Sequence, residues 1–300
     1  MSLHSSRLIQ DEQDIEKIRQ LIDQPANEFS VLDFEEVIAV EHVRADTRLW
    51  FAADSGLIAF ATVDDFNNLL FALDPGTDID SIGGELVDWG IACLRQRAAA
   101  GRQAATLDVS CEAHAAVRIA FFERQNFRKA EVRTFRYAKS LAGMLPEKVV
   151  LPGLLIRPVK GESEVQALVD LHRAAFGTDH MTTEYRLAMM HTTGYDLQLD
   201  LVSVAPGEQL AGFCVAHIDG EEDRLLGQKV GWTDPLGVHP DFQRRGLGKA
   251  ILITGMRALK SRGIQWALLG TSSENIAMQR LAECLGFAVI SQKLWFSKDL

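Results

Sequence analysis

The sequence predicts an α/β protein made of two tandem copies of one domain. Its 300 residues fit two domains of about 150 residues each. Residues 121–127 (FFERQNF) precede residues 281–287 (LAECLGF) by 160 positions, and residues 139–141 (KSL) precede residues 298–300 (KDL) by 159. Because a helix end, a turn, a buried phenylalanine and a closing strand recur at nearly one offset, the sequence indicates a duplication.

The first copy, predicted over residues 1–145, begins with a helix and continues as a meander of short strands. Ile15, Ile18 and Ile22 have the spacing of one helix face. Short apolar runs separated by turn residues then predict strands. In chain order, the elements predicted after the first helix are strands at Leu49–Ala53, Leu57–Val63 and Leu69–Leu73, a helix at Ile82–Arg97, a strand at Ala105–Val109, a helix at Ala113–Arg124 and a strand pair at Phe127–Tyr137.

The second copy, predicted over residues 154–300, repeats this order after a linker at residues 146–153. The linker carries two prolines and a glycine between periodic segments. The elements predicted in the second copy are helices at Val165–Phe176 and Thr183–Met190, a hairpin of Leu197–Val204 with Leu210–Ile218, a strand ending near Val238, a helix at Gly246–Arg262, a strand at Trp266–Leu269, a helix at Asn275–Leu285 and a strand pair at Phe287–Phe296.

The composition is that of an ordinary globular protein, with 47% hydrophobic and 24% charged residues. The net charge of −10 disfavours nucleic acid as a partner. No apolar run approaches the roughly 18 residues that cross a membrane, and no secretory signal is recognised at the start. The widely separated cysteines predict neither a metal cage nor a disulfide scaffold, and indicate the cytoplasm; they are Cys93, Cys111, Cys214 and Cys284.

The segment from Asp234 to Ala250 carries the clearest chemical signal. A strand ends at Val238, and a glycine-containing turn then leads into a long amphipathic helix. Gly246 and Gly248 lack a Cβ, so the backbone there can approach a ligand closely. The free N–H groups and the dipole of the first helical turn favour an anion. Together with the donors of Gln243, Arg244 and Arg245, these features predict a cradle for a pyrophosphate.

Other anion-binding and catalytic motifs do not fit these residues. A Walker loop needs Ser or Thr after Gly-Lys, and Ala250 stands there; it also needs Gly where Gln243 stands. A dinucleotide-binding fingerprint needs a small residue where Ile251 stands. The chain contains neither a Gly-x-Ser-x-Gly elbow nor a His-Glu-x-x-His zinc motif.

The sequence of this segment resembles the CoA-binding motif of the GNAT superfamily of acetyltransferases. Val238-His239-Pro240 and the run Gln243-Arg244-Arg245-Gly246-Leu247-Gly248 match its CoA-binding motif, and Asn275 with residues 281–287 resembles the motif that follows. The resemblance implies an α/β (α+β) fold in which each copy is a mixed, mostly antiparallel sheet flanked by helices. The tandem arrangement is similar in layout to that of mycothiol synthase.

The resemblance also implies acetyl-CoA as co-substrate and no metal. The strand before Pro240 would separate from its neighbour, so that backbone groups of Leu236, Gly237 and Val238 bind the pantetheine arm and polarise the acetyl carbonyl. Asn275 would bond the same arm. The pyrophosphate would be held by main-chain groups and side chains of Gln243, Arg244, Arg245, Gly246, Leu247, Gly248 and Lys249.

The implied acceptor is an amine, on a small molecule or a peptide, that attacks the thioester directly in a ternary complex. Such an amine must lose a proton, and Asp234 stands where many relatives have an acidic residue, which makes it the candidate base. Alternatively, Asp234 only orients the substrate or is a solvated carboxylate at a strand end. His239 is a second, weaker candidate for moving the proton.

Ala282 departs from the family pattern. Relatives carry a tyrosine at this position, and its hydroxyl protonates the departing thiolate. The general acid is therefore unassigned, and two alternatives to an N-acetyltransferase stay open. One is a catalytically weak, CoA-binding sensor or structural module; the other is an acyltransferase for O- or S-acceptors.

The first copy lacks the cradle. Residues 78–84 (DIDSIGG) stand where the second copy has its motif, and Asp78 and Asp80 would repel a pyrophosphate. Phe122 occupies the position of the tyrosine. We therefore expect a degenerate copy that does not bind CoA, packs with the second copy as an internal pseudo-dimer and helps to shape the acceptor pocket.

Overall fold

The structure is a computed structural model that describes residues 4–24, 27, 30–53, 56–101, 105–192, 194–218 and 227–300. The chain divides into two compact units. Unit 1 comprises residues 1–133 and 292–300, and unit 2 comprises residues 134–291. These boundaries follow the packing of the chain, whereas the predicted division at 146–153 concerns the repeat in the sequence and stays a prediction.

Unit 1 contains a four-stranded antiparallel sheet and its flanking helices. The sheet order is β1-β2-β3-β4. In chain order the elements are β1 (His4–Leu8), α1 (Glu12–Ile22), α2 (Val31–Ile38), α3 (Glu41–Asp46), β2 (Arg48–Ala52), β3 (Leu57–Val63), β4 (Leu69–Leu73), α4 (Ile79–Ala99), β5 (Thr106–Glu112) and α5 (Ala116–Arg124).

Unit 2 repeats this plan with its fourth strand divided in two. In chain order the elements are β7 (Leu155–Pro158), α6 (Val165–Phe176), α7 (Thr183–Met190), β8 (Asp200–Val204), β9 (Leu210–Val215), β10 (Val230–Trp232), β11 (Leu236–Val238), α8 (Leu247–Ser261), β12 (Trp266–Ser272) and α9 (Ile276–Cys284). Strands β11, β9, β8 and β7 form an antiparallel sheet, and β10 pairs in parallel with β12.

Two long strands, β6 (Arg128–Ser140) and β13 (Ala288–Asp299), each belong to both units. The predicted strand pairs at 127–137 and 287–296 are wrong, because each segment is one continuous strand. Residues 134–140 of β6 pair with β12 inside unit 2, and residues 293–299 of β13 pair with β5 inside unit 1. Each unit is therefore completed by the last strand of the other sequence copy.

Within each unit, the apolar faces of the helices pack into a hydrophobic core. In unit 1 the predicted stripe of α1 is buried, and Ile15 and Ile18 pack in one cluster with Phe34 and Phe60. In unit 2 the apolar face of α8 packs on β12 and α9. Each such buried side chain contributes about 1.5–3 kcal/mol relative to exposure. Among the described helices, none has both the length and the apolarity to cross a membrane.

The duplication is visible in the element bounds. Strand β5 begins 160 positions before β12, and α5 begins 160 positions before α9. The sequence did not predict the short helices α2 and α3, although Ser30 and Asp33 form a capping box at the start of α2. Helices of eight and six residues show too few turns for a clear apolar period.

Candidate functional site

The site of unit 2 lies where two neighbouring strands separate. Strand β10 runs beside β12. Among the described residues, the last main-chain hydrogen bond between these two segments runs from the N–H of Thr233, just after β10, to the carbonyl of Leu268, at 2.9 Å. Two residues further along β12, the N–H of Gly270 donates instead to the carboxylate of Asp234, at 3.1 Å. From Leu236 onward the chain pairs with β9. The separation that the resemblance implied is therefore present, and Asp234 stands at the fork.

The turn after β11 is held by its own side chain and by left-handed backbone. The amide of Gln243 donates to the carbonyl of Val238 at 3.0 Å, which closes the turn. Arg244 and Gly246 have φ angles of 62° and 82°. Glycine adopts this conformation without strain because it has no Cβ, so Gly246 suits the turn. The same conformation is strained at Arg244, which has a Cβ. One donor of the Gln243 side chain, predicted for the pyrophosphate, is therefore used to stabilise the turn.

The start of helix α8 has the features that favour an anion. Gly246 is its N-cap and supplies no side chain to the first turn, which contains no acidic residue. The first intrahelical donor with a bond to the cap is the N–H of Ala250, to the carbonyl of Gly246 at 3.0 Å. The N–H groups of the first turn before it have no helical partner by geometry. With the positive end of the dipole, they form the donor set that a pyrophosphate requires.

Three elements converge at Gly248. A Cβ placed there would lie 3.5–3.8 Å from the side chains of Leu281, Val238 and Leu236. The start of α8, strand β11 and helix α9 therefore meet at one point. A Cβ at Gly246 would have no neighbour within 4 Å among the described atoms, so that end of the turn is open to a ligand. This geometry fits the CoA arm and pyrophosphate that the motif implies.

The basic residues of the turn are exposed. Arg244 and Arg245 both lie on the surface, and the guanidinium of Arg245 lies over the ring of Phe242, 5.6 Å from its centroid. Lys249 is half-buried within the first turn of α8. These three side chains add positive charge around the start of α8, where the helix dipole already favours an anion.

The two candidate proton carriers differ in their surroundings. Asp234 is half-buried at the fork, where its carboxylate binds the N–H of Gly270. His239 caps the short turn at Pro240–Phe242, and its Nδ1 accepts the N–H of Asp241 at 3.3 Å. The bond to the turn gives His239 a structural role that the sequence did not indicate.

Helix α9 and its cap carry two positions of the family motif, Asn275, which matches the motif, and Ala282, which departs from it. Asn275 caps α9, and its Oδ1 accepts the N–H of Met278 at 3.0 Å, which leaves its amide nitrogen as the group for a CoA contact. Ala282 is fully buried in one cluster with Tyr137 and Phe287. Burial raises the pKa of Tyr137, with a smaller effect from the charge of Glu283.

Sequence reasoning missed a buried polar cluster between α7 and β8. Arg186 forms an ion pair with Asp200, and the hydroxyl of Tyr195 donates to the same carboxylate at 2.6 Å. Arg186 and Asp200 are both buried. Burial and the adjacent carboxylate raise the pKa of Tyr195 above its usual range. Residues spaced 5 and 14 positions apart carry no motif, so only the fold brings them together.

The corresponding helix start in unit 1 is filled by the protein's own carboxylates. Asp78 caps α4, and its Oδ1 accepts the N–H of Asp80 at 3.1 Å. The carboxylate of Asp80 binds the guanidinium of Arg124 at 2.6 and 2.8 Å. Phe122 is fully buried within the core of unit 1. At this helix start, therefore, one N–H is bonded by a carboxylate of the protein, and a second carboxylate is paired with Arg124.

Residues 165–287 match the model of the acetyltransferase (GNAT) family. The chain is similar to the mycothiol acetyltransferase of Nocardia farcinica, at 29% identity over 66% of this chain and 66% of that protein. It is also similar to the mycothiol acetyltransferase of Streptomyces coelicolor, at 30% identity over 56% of this chain and 53% of that protein. The matches thus span between half and two thirds of these relatives.

Solved structures share the fold over the whole chain. A GCN5-related N-acetyltransferase from Sphaerobacter thermophilus superposes with a TM-score of 0.71 at 19% identity, covering 100% of this chain and 96% of that one. A tandem GNAT protein from the clavulanic acid biosynthesis pathway gives 0.67 at 12% identity, covering 99% and 98%. The fold and the resemblance predicted from the sequence are therefore confirmed: residues 165–287 match the GNAT acetyltransferase family, and the whole chain shares its fold with GNAT structures that include a tandem one.

Proposed function

We propose that this chain transfers the acetyl group of acetyl-CoA to an amine acceptor, by direct attack in a ternary complex at unit 2. The observation that carries the proposal is the convergence of an acid-free helix end, a basic turn and a separated strand at Gly248. Each of these features serves one part of the co-substrate. The mycothiol acetyltransferase relatives support a small-molecule acceptor.

The backbone of β11 and the turn would hold the co-substrate. The main chain of Leu236–Val238, freed from β12 by the fork, would face the pantetheine arm and the acetyl carbonyl. The first turn of α8, with Arg245 and Lys249, would hold the pyrophosphate. The nitrogen of the Asn275 side chain would donate to the CoA arm. Positioning of this kind supplies most of the rate when nucleophile and thioester react directly.

Asp234 would accept the proton of the amine, directly or through a water molecule. Its carboxylate is fixed by the bond to Gly270, which holds it at the fork where the strands part. A positioned base contributes about 10²- to 10⁴-fold to a proton-transfer step. His239 is the weaker candidate, because its Nδ1 already binds the N–H of Asp241.

A CoA-binding sensor with little turnover is the second candidate function. The observation that favours it is the burial of Ala282 where relatives have a tyrosine. In an active enzyme the thiolate of CoA would take its proton from water or from another residue. Retention of the cradle supports CoA binding under both functions.

Turnover separates the two functions. Purified protein would be mixed with acetyl-CoA and a panel of polyamines, aminoglycosides, amino acids and peptides, and the free thiol of CoA would be followed with time. Acceptor-dependent thiol release supports the transferase. Calorimetric binding of CoA without release in the presence of any amine supports the sensor. The cytoplasmic location predicted from the cysteines stays a prediction.

A further inference from the structure

One face of the unit 2 sheet carries two opposite charges at the fork. Strand β12 lies between β10 and β6, and Gly270 of β12 is paired with Arg136 of β6. Directly paired residues of antiparallel strands project from the same face. A Cβ at Gly270 would lie 3.3 Å from the Oδ2 of Asp234. Asp234 and Arg136 therefore flank Gly270 on one face, one strand to either side.

Gly270 contributes no side chain between the two charges. Among the described atoms outside residues 269–271, only the Oδ2 of Asp234 would lie within 4 Å of a Cβ at Gly270. Asp234, Gly270 and Arg136 are all half-buried, so each is accessible in part. A small ligand over Gly270 would therefore lie between a carboxylate and a guanidinium.

Arg136 lies over an aromatic ring on the same face. Its Cζ is 5.1 Å from the centroid of the Trp232 ring, a distance at which a cation and an aromatic face attract each other. Trp232 packs in one cluster with Leu268, which precedes Gly270 by two residues and so projects from the same face. The ring of Trp232 stacks in turn with His217. The guanidinium is thus held two residues along the chain from Asp234.

One carboxylate and one guanidinium on this face match the charges of an amino acid. The ammonium group of a zwitterion is attracted by Asp234, and its carboxylate fits the planar fork of a guanidinium, which can bind both oxygens. A diamine would place its second positive charge beside Arg136, and like charges repel. A phosphate monoester would bring a charge of about −1.5 to −2 to a single guanidinium and to the carboxylate of Asp234.

We propose that the acceptor is an amino acid and that Arg136 binds its carboxylate. The inference rests on the proposed function and names the substrate class of that site. Arg136 is a binding residue, and Asp234 keeps its role as the base. Because β6 belongs to the first sequence copy, that copy contributes a side chain to the acceptor site even though it lacks the CoA cradle.

The first test compares each proteinogenic amino acid with its amide, which keeps the amine and the side chain and loses the negative charge. Release of the CoA thiol from acetyl-CoA would be measured with the wild-type protein. We expect the best acceptor to be an acid whose kcat/KM exceeds that of its amide by about 10-fold or more, because a charge-assisted hydrogen bond is lost in the amide. The panel also contains 1,4-diaminobutane and O-phosphoethanolamine. A best acceptor without a carboxylate overturns the inference.

The second test replaces Arg136. Arg136→Gln removes the charge, and Arg136→Lys keeps the charge without the fork. We expect Arg136→Gln to raise KM for the best amino acid about 10- to 100-fold with little change in kcat, and to leave KM for its amide nearly unchanged. Arg136→Lys should recover part of the loss.

Lys139→Gln is the matched control, because Lys139 lies on the same strand but is paired with Ala267, on the opposite face. It should leave both KM values unchanged, and calorimetric CoA binding checks that each variant is folded. If Arg136→Gln raises KM for the acid and for the amide equally, or no more than Lys139→Gln does, Arg136 does not bind the carboxylate.

A binding experiment keeps this inference separate from the proposed function. Protein saturated with CoA, which carries no acetyl group to transfer, would be titrated calorimetrically with the same amino acids. We expect saturable binding of at least one of them, weakened about 10-fold or more in Arg136→Gln. Absence of binding by every amino acid overturns this inference, whereas absence of thiol release from acetyl-CoA with every amine overturns the transferase.

Discussion

The two units share one structural motif and differ in another. In unit 1, Arg7 binds Asp14 through the two terminal nitrogens of its guanidinium, at 2.5 and 2.7 Å, and the same carboxylate accepts the N–H of Gln10. In unit 2, Arg157 binds Glu164 at 2.9 and 2.5 Å, and this carboxylate accepts the N–H of Lys160. The spacings of seven and four residues are the same in both motifs.

The helix starts are where the units differ. Helix α4 of unit 1 is capped by Asp78, and Asp80 in its first turn is bound by Arg124. Helix α8 of unit 2 has Gly246 as its cap and no acid in its first turn. The shared ion pair joins the start of each copy to its first helix, which is a requirement of the fold. The predicted cradle would serve a ligand, and of these two helix starts only that of α8 has its features.

The largest expected effect concerns Asp234, whose carboxylate at the fork is the candidate base. Asp234→Asn keeps an oxygen for the N–H of Gly270 but removes the base. We expect kcat to fall about 100-fold or more, with a smaller change in KM for acetyl-CoA. The loss should shrink at high pH, where free amine is abundant. A pH–rate profile parallel to that of the wild type rules Asp234 out as the base.

The next effect concerns the charge of the turn. Arg245→Glu should weaken CoA binding by at least 10-fold, because a charge-assisted contact contributes about 1.5–3 kcal/mol and the new carboxylate repels the pyrophosphate. Lys160→Glu, the same charge change at an exposed site of unit 2, is the control and should leave affinity unchanged. Calorimetric titration with CoA measures both. If Arg245→Glu and the wild type bind CoA with equal affinity, the turn before α8 is not the pyrophosphate site.

The shared ion pair should contribute to stability in a pH-dependent way. Hydrogen bonds from Arg7 lower the pKa of Asp14 from 3.8 to about 2. Because the folded pKa is the lower one, the stabilisation is complete above about pH 4 and is lost as the pH falls toward 2. Asp14→Asn should therefore lower the free energy of unfolding by about 2 kcal/mol at pH 7.

Urea denaturation of wild type and Asp14→Asn at pH 7, 4 and 3 measures this contribution. The difference between them should narrow below pH 4. Arg157 likewise lowers the pKa of Glu164, so Glu164→Gln should change stability in the same direction in unit 2. A difference that grows as the pH falls would show that the repeated ion pair does not act as described.

A smaller effect is expected from the cap of α4. Asp78→Ala removes the acceptor for the N–H of Asp80 and should destabilise the protein by about 1 kcal/mol. Asp78→Asn keeps a good capping side chain and should stay close to wild type. Midpoints of thermal unfolding compare the three proteins. Loss of stability in Asp78→Asn as large as in Asp78→Ala argues for a charge effect instead of a cap.

The smallest effect is the contribution of unit 1 to CoA binding, for which we expect none. At about 4 Å and an effective dielectric constant of 20, one like-charge contact costs about 4 kcal/mol, whereas a helix dipole favours an exposed anion by about 0.3–1 kcal/mol. Asp78 and Asp80 should therefore prevent binding at α4. Titration of the whole protein with CoA should give a stoichiometry of one. A value near two would show that unit 1 also binds CoA.

The sequence by itself determined the duplication and the resemblance to GNAT proteins, and it predicted the cradle. These depend on local chemistry: an apolar period, a strand followed by a turn with Gly246 and Gly248, and the residues 160 positions apart that begin α5 and α9. Such signals lie within a few consecutive residues, where backbone conformation and side-chain type are closely coupled.

Only the tertiary structure decided which residues complete each unit and what surrounds the site. Strands β6 and β13 pair in units whose other strands come from the opposite copy, and the buried polar cluster between α7 and β8 gathers Arg186, Tyr195 and Asp200. Strand pairing and the contacts of buried polar groups join residues far apart in the chain. Their partners are set by packing and by the need to satisfy buried hydrogen bonds, which a local pattern does not encode.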